Sequence, residues 1–104
     1  MNKEELKIDI EKWVELCKKT DALHDKISAI FGVVIDSEPF NLYYEMLELI
    51  QKSIEEKHGI EGDWLSYFWH ECNFGENPME VTFKCGKVVV VKDVDSIIEV
   101  ILGE

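Results

Sequence analysis

The sequence contains no arginine. All eleven of its basic residues are lysines, set against 22 acidic residues, and the formal net charge is −11 at pH 7. Arginine is the residue best suited to bidentate contacts with phosphates and bases. Its absence, together with the repulsion between a negative protein and a phosphate backbone, predicts that the chain does not bind nucleic acid directly.

Long apolar runs are also missing. No segment approaches 18 consecutive apolar residues, and positions 1–13 carry charges at short intervals without an apolar core. The three cysteines are an odd number without the spacing of a disulfide framework, which favours reduced thiols. These features predict a soluble, cytoplasmic protein that does not associate with membranes.

Catalytic and metal-binding signatures are lacking as well. None of the six glycines belongs to a phosphate-binding loop, and no nucleophile elbow or Ser-His-Asp order is present. His70 and Cys72, with Cys85 further along, offer three soft metal ligands, but the paired spacing of a zinc site is absent. The sequence therefore predicts a non-enzymatic protein without a metal or another cofactor.

The chain has the composition of one small globular domain over residues 1–104. Hydrophobic residues make up 46% and aromatic residues 11% of its 104 positions. The charge is unevenly distributed, because eleven acids lie between Asp36 and Glu80 against only Lys52 and Lys57, so this middle segment carries −9 of the net −11. The negative electrostatic field is expected to be strongest there.

Hydrophobic periodicity predicts an α+β fold with three N-terminal helices, a β-hairpin and a short C-terminal helix. Residues 3–31 form one long helix, or two joined near Thr20, because apolar residues recur every seven positions. A second helix is predicted to end before Gly59 and a third to span 63–72. Residues 79–83 and 87–91 form the hairpin around a two-residue Cys-Gly turn, and Asp93 or Asp95 begins the final helix, with Ile97, Ile98, Ile101 and Leu102 pointing inward.

The segment GDWLSYFWHECNFG, residues 62–75, contains five of the eleven aromatic residues. In a helix, one face would gather apolar side chains for the core, namely Trp64, Leu65, Phe68, Trp69 and Cys72. The opposite face would gather Asp63, Tyr67, His70 and Glu71, which have the chemistry of a binding or acid–base cluster. An ordinary solvent-exposed helix face is the simpler interpretation of that polar set.

This C-terminal part resembles small bacteriophage and prophage proteins without an assigned activity. Their pattern is W-[LI]-S-[WY]-F, then an [ND]-x-G turn, a hairpin and a short helix, and the matching residues here are Trp64, Leu65, Ser66, Tyr67, Phe68, Asn73 and Gly75. The match covers about the last 45 residues, and His70 and Cys72 depart from it. The resemblance implies a phage- or mobile-element-encoded protein that binds and blocks a host factor, similar in size and charge to anti-CRISPR proteins.

The leading hypothesis is a small acidic interaction protein that inhibits a basic host protein, with its carboxylates imitating nucleic acid. The predicted contact residues are Glu45, Glu48, Glu55, Glu56, Glu61 and Asp63, with Tyr67, His70 and Glu71 at the edge. Acidity that serves only solubility is a simpler explanation. The sequence is also compatible with a self-assembling protein that dimerises through the N-terminal helix, and with a small-molecule-binding protein that uses Tyr67, His70 and Glu71.

Overall fold

A computed structural model describes residues 2–31 and 38–103, apart from the side chains at 28, 30, 31 and 38–40. In that part of the chain the predicted α+β fold is confirmed. Its elements are α1 (Lys3–Phe31), α2 (Glu38–His58), α3 (Trp64–Ser66), a π-helical segment (Tyr67–Glu71), a 3₁₀ turn (Asn73–Gly75), β1 (Met79–Thr82), β2 (Val88–Val91) and α4 (Val94–Leu102).

Helix α1 is continuous, so a single long helix is correct and a pair of helices joined near Thr20 is not. The Thr20 hydroxyl donates to the carbonyl of Leu16 at 2.9 Å, so this residue stays within the helical pattern. Helix α2 packs antiparallel on α1. The two helices are joined by the indole N–H of Trp13, which donates to the Leu47 carbonyl at 3.1 Å, and further along by the hydroxyl of Tyr44, which donates to Asp21.

The core lies at one end of the α1–α2 pair. On α1 the buried side chains are Leu6, Ile10, Trp13, Val14 and Cys17. Among the described side chains, none on α1 beyond Cys17 and none on α2 before Leu47 is buried. We call the part of α1 and α2 that contains the core the proximal half and the remainder the distal half. The remaining elements pack on the proximal half, with α4 lying against both α1 and β2.

The predicted third helix is present but irregular. Only Trp64–Ser66 is α-helical, after which the helix widens, and the N–H of Cys72 donates to the carbonyl of Tyr67, five residues earlier, at 3.1 Å. The regular 3.6-residue period expected over 63–72 was therefore wrong. The wider turn still directs Leu65, Phe68, Trp69 and Cys72 into the core, as predicted, while Trp64 is only partly covered.

The turn after this segment has a strained backbone. Asn73 and Phe74 have positive φ values of 45° and 56°, and Phe74 is a bulky residue for which this conformation is unfavourable. Its ring is buried edge-to-face against Trp13 and Phe68, with centroid distances of 5.5 and 5.6 Å. Burial and aromatic packing offset the backbone strain.

The hairpin has the predicted strands but a different turn. The register pairs Met79 with Val91 and Thr82 with Val88. The N–H of Phe83 donates to the Lys87 carbonyl at 2.8 Å, and the N–H of Gly86 donates to the Phe83 carbonyl at 2.9 Å. The loop therefore has three residues, 84–86, and the predicted two-residue Cys-Gly turn was wrong, because Gly86 takes the left-handed position that closes a type I turn.

Helix α4 begins with a reciprocal cap. Asp93 accepts a hydrogen bond from the backbone of Ser96 at 2.8 Å, and the Ser96 hydroxyl accepts one from the backbone of Asp93 at 2.9 Å, so the first of the two predicted caps is correct. Ile97 and Ile98 are buried as expected. Leu102, predicted to point inward, is instead 40% exposed, and the buried residue of this last turn is Val100.

Gly75 provides a test of the close contact between the 3₁₀ turn and the start of α4. A Cβ atom at this position would lie 2.0 Å from the backbone oxygen of Lys92, whereas a Cβ atom at Gly86, with a similar φ, would meet nothing within 4 Å. We expect Gly86→Ala to lower the free energy of unfolding by about 1–2 kcal/mol through backbone strain alone. Gly75→Ala should cost about 1–3 kcal/mol more through overpacking. Equal losses in urea denaturation would contradict this assignment.

Candidate functional site

The polar residues predicted to share a face of the third helix do lie together. Asp63, Ser66, Tyr67, His70 and Glu71 line an open depression of about 280 Å³ on the protein surface. The widened π-helical turn places Tyr67, His70 and Glu71 there while keeping Phe68 and Trp69 buried. The depression thus lies on the surface above the buried aromatic side chains of the same segment.

The side chains of the depression are not equally available to a ligand. Tyr67 is half-buried and its hydroxyl is hydrogen-bonded to the Cys72 thiol; burial raises the pKa of Tyr67, and burial likewise raises the pKa of Cys72. His70 is exposed and stacks its ring on Trp69, with a centroid distance of 4.5 Å. The acid–base cluster considered from the sequence is therefore split, because the phenol is engaged within the protein and the imidazole is exposed to solvent.

Helix α2 extends this surface with acidic residues. Gln51 of α2 donates a hydrogen bond to the Ser66 hydroxyl at 2.7 Å and so fixes α2 beside the depression. One turn further, burial raises the pKa of the Glu55 carboxyl; a hydrogen bond from Gln51 lowers it, and the nearby charge of Asp63 raises it. Two carboxylates from different elements therefore approach each other at this surface.

The predicted contact residues divide into three groups. Glu48 precedes Glu55 by seven residues and so lies on the same side of α2, next to the depression. We call Glu48, Glu55, Asp63 and Glu71 the acidic face. The helical period places Glu45 and Glu56 further round α2, toward its outer edge, where Glu45 borders the acidic face at Glu48. Glu61 lies in the loop after α2, where it borders a separate cleft with Trp64 and Lys84.

The intramolecular ion pairs neutralise acids elsewhere. In the part of the chain that the structure describes, every ion pair uses an acid of α1 or α4, for example Lys7 with Asp95 at 3.0 Å and Lys19 with Glu15 at 2.9 Å. Within the same range, no acid between Glu45 and Glu80 takes part in one. Within the described residues, the acidic face is therefore not compensated by an ion pair.

The histidine and cysteine side chains are dispersed. Across residues 2–31 and 38–103, no three His, Cys, Asp or Glu side chains are grouped so that they could hold a metal ion. Cys72 is buried, whereas Cys85 is exposed at the hairpin turn. Burial raises the pKa of the Cys17 thiol to about 12, which makes this residue a poor nucleophile.

A charged cluster that the sequence analysis missed joins the proximal ends of α1 and α2. The Asp9 carboxylate is 2.8 Å from Nε2 of His58 and 2.9 Å from the ammonium of Lys57, which also lies 2.8 Å from Glu5. The hydrogen bonds from His58 and Lys57 hold the pKa of Asp9 below its usual range. The only signal in the sequence is the basic last turn of α2, which favours a negative partner but does not identify it.

Beside this cluster lies a small apolar groove. Trp13, Leu16, Ile50 and Ile54 line it, and its volume is about 280 Å³. The charged side chains around it, which include Asp9 and Lys57, belong largely to the cluster just described. The groove therefore suits an apolar contact rather than a reaction.

Comparisons with known protein families, with curated proteins and with solved structures find no match. The resemblance to bacteriophage proteins therefore stays a prediction based on residues 64–75. No helix in the described ranges is long and apolar enough to cross a membrane.

The Asp9 cluster predicts a defined pH dependence of stability. Because the folded-state pKa of Asp9 is depressed, its contribution is present above the unfolded pKa of about 3.9 and is lost as the pH falls through the folded value. We expect Asp9→Asn to lower the melting temperature at pH 7, and the difference from the wild type to shrink at acidic pH. Glu4→Gln, at an exposed position on the same helix, serves as the control and should change little at either pH.

Ionisation of Glu55 is expected to affect stability in the opposite direction to ionisation of Asp9. The folded-state pKa of Glu55 is raised, so ionisation opposes folding once the pH exceeds the unfolded value of about 4.3. Glu55→Gln should therefore raise stability at pH 7 by a few tenths of a kcal/mol, as for unfavourable like-charge contacts in general, and the gain should vanish below about pH 4. Thermal melts of the two proteins across this range provide the measurement. A loss of stability at pH 7 would show that burial does not disfavour the ionised Glu55 carboxylate.

Proposed function

We propose that this chain is a non-enzymatic interaction protein that binds a basic protein partner through the acidic face. The observation that carries the proposal is the distribution of ion pairs. Every ion pair between a lysine and an acid in the described structure uses an acid of α1 or α4, whereas Glu48, Glu55, Asp63 and Glu71 take part in none. A complementary cationic surface would relieve their repulsion and steer association.

The position of Glu55 strengthens this proposal. A carboxylate that is partly buried beside a second carboxylate is destabilising in the free protein. Groups of this kind are held in place by the surrounding fold, here by α2 and by the hydrogen bond between Gln51 and Ser66. Lysine or arginine side chains of a partner would find the charges already positioned, which lowers the entropy cost of binding.

A protein partner fits the surface better than a small ligand. Small-molecule sites are typically concave cavities of about 300–1,000 Å³ that enclose most of the ligand. The depression here is smaller and open, at about 280 Å³, and the Tyr67 hydroxyl that would orient a ligand is engaged with Cys72. A broad cationic surface needs neither a cavity nor a free phenol.

The chemistry of the acidic face narrows the class of partner. Proteins that bind nucleic acids display lysine and arginine side chains arranged to neutralise phosphates. We propose a host protein of this class as the partner, met in the bacterial cytoplasm, with the acidic face occupying part of its nucleic-acid channel. The proposal includes a phage or mobile-element origin and an anti-CRISPR type of action.

A charge-neutralised variant tests the acidic face. Glu48→Gln, Glu55→Gln, Asp63→Asn and Glu71→Gln together remove four charges with little change in shape. Immobilised wild-type protein should retain basic, nucleic-acid-binding proteins from a bacterial lysate and release them with moderate salt. The variant should bind the same purified protein about tenfold or more weakly at low salt, because the steering charge is lost. Calorimetry or surface plasmon resonance gives the affinity.

A matched control separates the local surface from the total charge. Glu4→Gln, Glu11→Gln, Asp25→Asn and Glu80→Gln change the net charge by the same amount at exposed positions elsewhere. This control should bind nearly as well as the wild type. An equal loss in both variants would mean that only the overall charge matters, and no retained protein at low salt would refute the proposal.

A further inference from the structure

One side of the α1–α2 pair exposes an apolar face that covers the distal half and the adjoining turn of the proximal half. On α1 it consists of Leu16 and Leu23, seven residues apart, and on α2 of Leu42, Met46 and Leu49, spaced by four and three residues. These five side chains are between 45% and 61% exposed. Leu16 lines the same groove as Ile50, which follows Met46 by one turn, so the stripes of the two helices point to the same side. We call these five residues the distal apolar face.

This face has no counterpart within the described chain. The described distal half contains no buried side chain, and α4 reaches only its beginning, where Val94 lies near Lys18 and Ala22. Two helices alone bury little apolar surface, and most helical stability comes from packing an apolar face. The side of this two-helix layer that carries the distal apolar face is therefore uncovered within the described chain.

The charges beside the distal apolar face differ between the two helices. Lys12, Lys19 and Lys26 recur every seven residues and form a row along the outer side of α1. Glu45 and Glu56 lie on the outer edge of α2, and Leu49 is within one or two turns of both. One edge of the face thus carries three lysines, whereas the opposite edge carries two glutamates with one lysine, Lys52, between them, and all six of these residues are exposed.

These edges favour one arrangement of two copies. If the two-fold axis runs parallel to the helices, each α1 lies antiparallel on the partner's α2, and the lysine row meets the partner's glutamates. If the axis is perpendicular to the helices within the interface, α1 meets α1 and the lysines oppose each other. Within one chain Asp9 is level with His58, and Leu16 with Ile50. The parallel axis therefore brings Lys12 near the partner's Glu56 and Lys19 near the partner's Glu45.

The area is sufficient for a specific but modest dimer. Residues 12–27 of α1 rise about 24 Å, and two adjacent helices are about 20 Å wide. Treated as a flat rectangle, the face of each copy would therefore cover about 500 Å². The two copies together would bury about 1,000 Å², which is near the lower limit of specific interfaces. The groove beside Trp13 and Leu16 continues this surface toward the proximal half.

We propose that the distal apolar face binds a second copy of this chain and forms an antiparallel four-helix bundle in which each α1 packs on the partner's α2. This inference goes beyond the proposed function and involves different residues. It assigns Glu45 and Glu56 to the edge of the dimer rather than to the surface for the basic partner. Both acidic faces remain outside the bundle, so one dimer presents two binding surfaces.

Molar mass measured by light scattering across the micromolar range tests the dimer. The wild type should approach twice the monomer mass of 12.1 kDa as its concentration rises. Leu23→Glu with Met46→Glu should weaken the dimer about 100-fold or more, because two charges would be buried at its centre. Val88→Glu, at a similarly exposed apolar position on β2, should leave the mass unchanged. A wild type that stays monomeric throughout would overturn the proposal.

Charge reversal tests which helices meet. Lys12→Glu with Lys19→Glu should weaken the dimer, and so should Glu45→Lys with Glu56→Lys. All four substitutions together should restore the wild-type mass, because the pairs re-form with inverted signs across the interface. Failure to restore it would overturn the packing of α1 on the partner's α2.

The proposed binding of a basic partner and the proposed dimer can be tested independently of each other. The neutralised acidic-face variant should keep the wild-type dimer mass, and the Leu23→Glu, Met46→Glu variant should keep its capture of the basic partner. Circular dichroism melts show whether either variant has lost its fold. A dimer lost through acidic-face neutralisation in a folded variant would overturn the proposed interface.

Discussion

The indole of Trp13 is fully buried where four parts of the chain meet. Its N–H bonds to the Leu47 carbonyl and fixes the level of α2 against α1. Its ring lies perpendicular to those of Trp69 and Phe74, with centroid distances of 5.5 Å, so it also supports the π-helical segment and the strained turn that follows. The depression beside His70 and the position of α2 therefore depend on one side chain whose partners lie far along the sequence. Its removal would affect both surfaces together.

Charge divides the molecule into two parts. Acids of α1 and α4 form ion pairs within the chain, for example Asp9 with His58 and Lys57, and Asp95 with Lys7. The acids on the surface formed by α2 and the π-helical segment have no such ion pairs in the described structure. Lys52 is the one lysine that lies among the outward-facing acids of the described part of α2. Apolar residues occupy the remaining side of α2. A single helix thus presents three surfaces of different chemistry, and its rotation about its own axis decides which residues can serve the same partner.

Local patterns in the sequence predicted the helices, the hairpin strands and the cap at Asp93, because each depends on residues a few positions apart. The polar set around Tyr67 and His70 was also predictable from helical spacing. The widening of the helix at Tyr67 was not, since it reflects the packing of Phe68 and Trp69 against a distant helix. The pairing of Asp9 with His58, 49 residues apart, leaves no periodic trace. Likewise, the sequence marked the middle segment as acidic but could not show how the fold would divide its carboxylates.

The packing of α4 on α1 has a consequence for synthesis. The buried side chains of α1, such as Ile10 and Val14, leave the ribosome long before α4 is made. At about 5–20 residues per second, the nascent chain carries them uncovered for several seconds. The complete core therefore cannot form until translation has passed Leu102. Ribosome stalling before α4 would leave an aggregation-prone intermediate rather than a partly active protein.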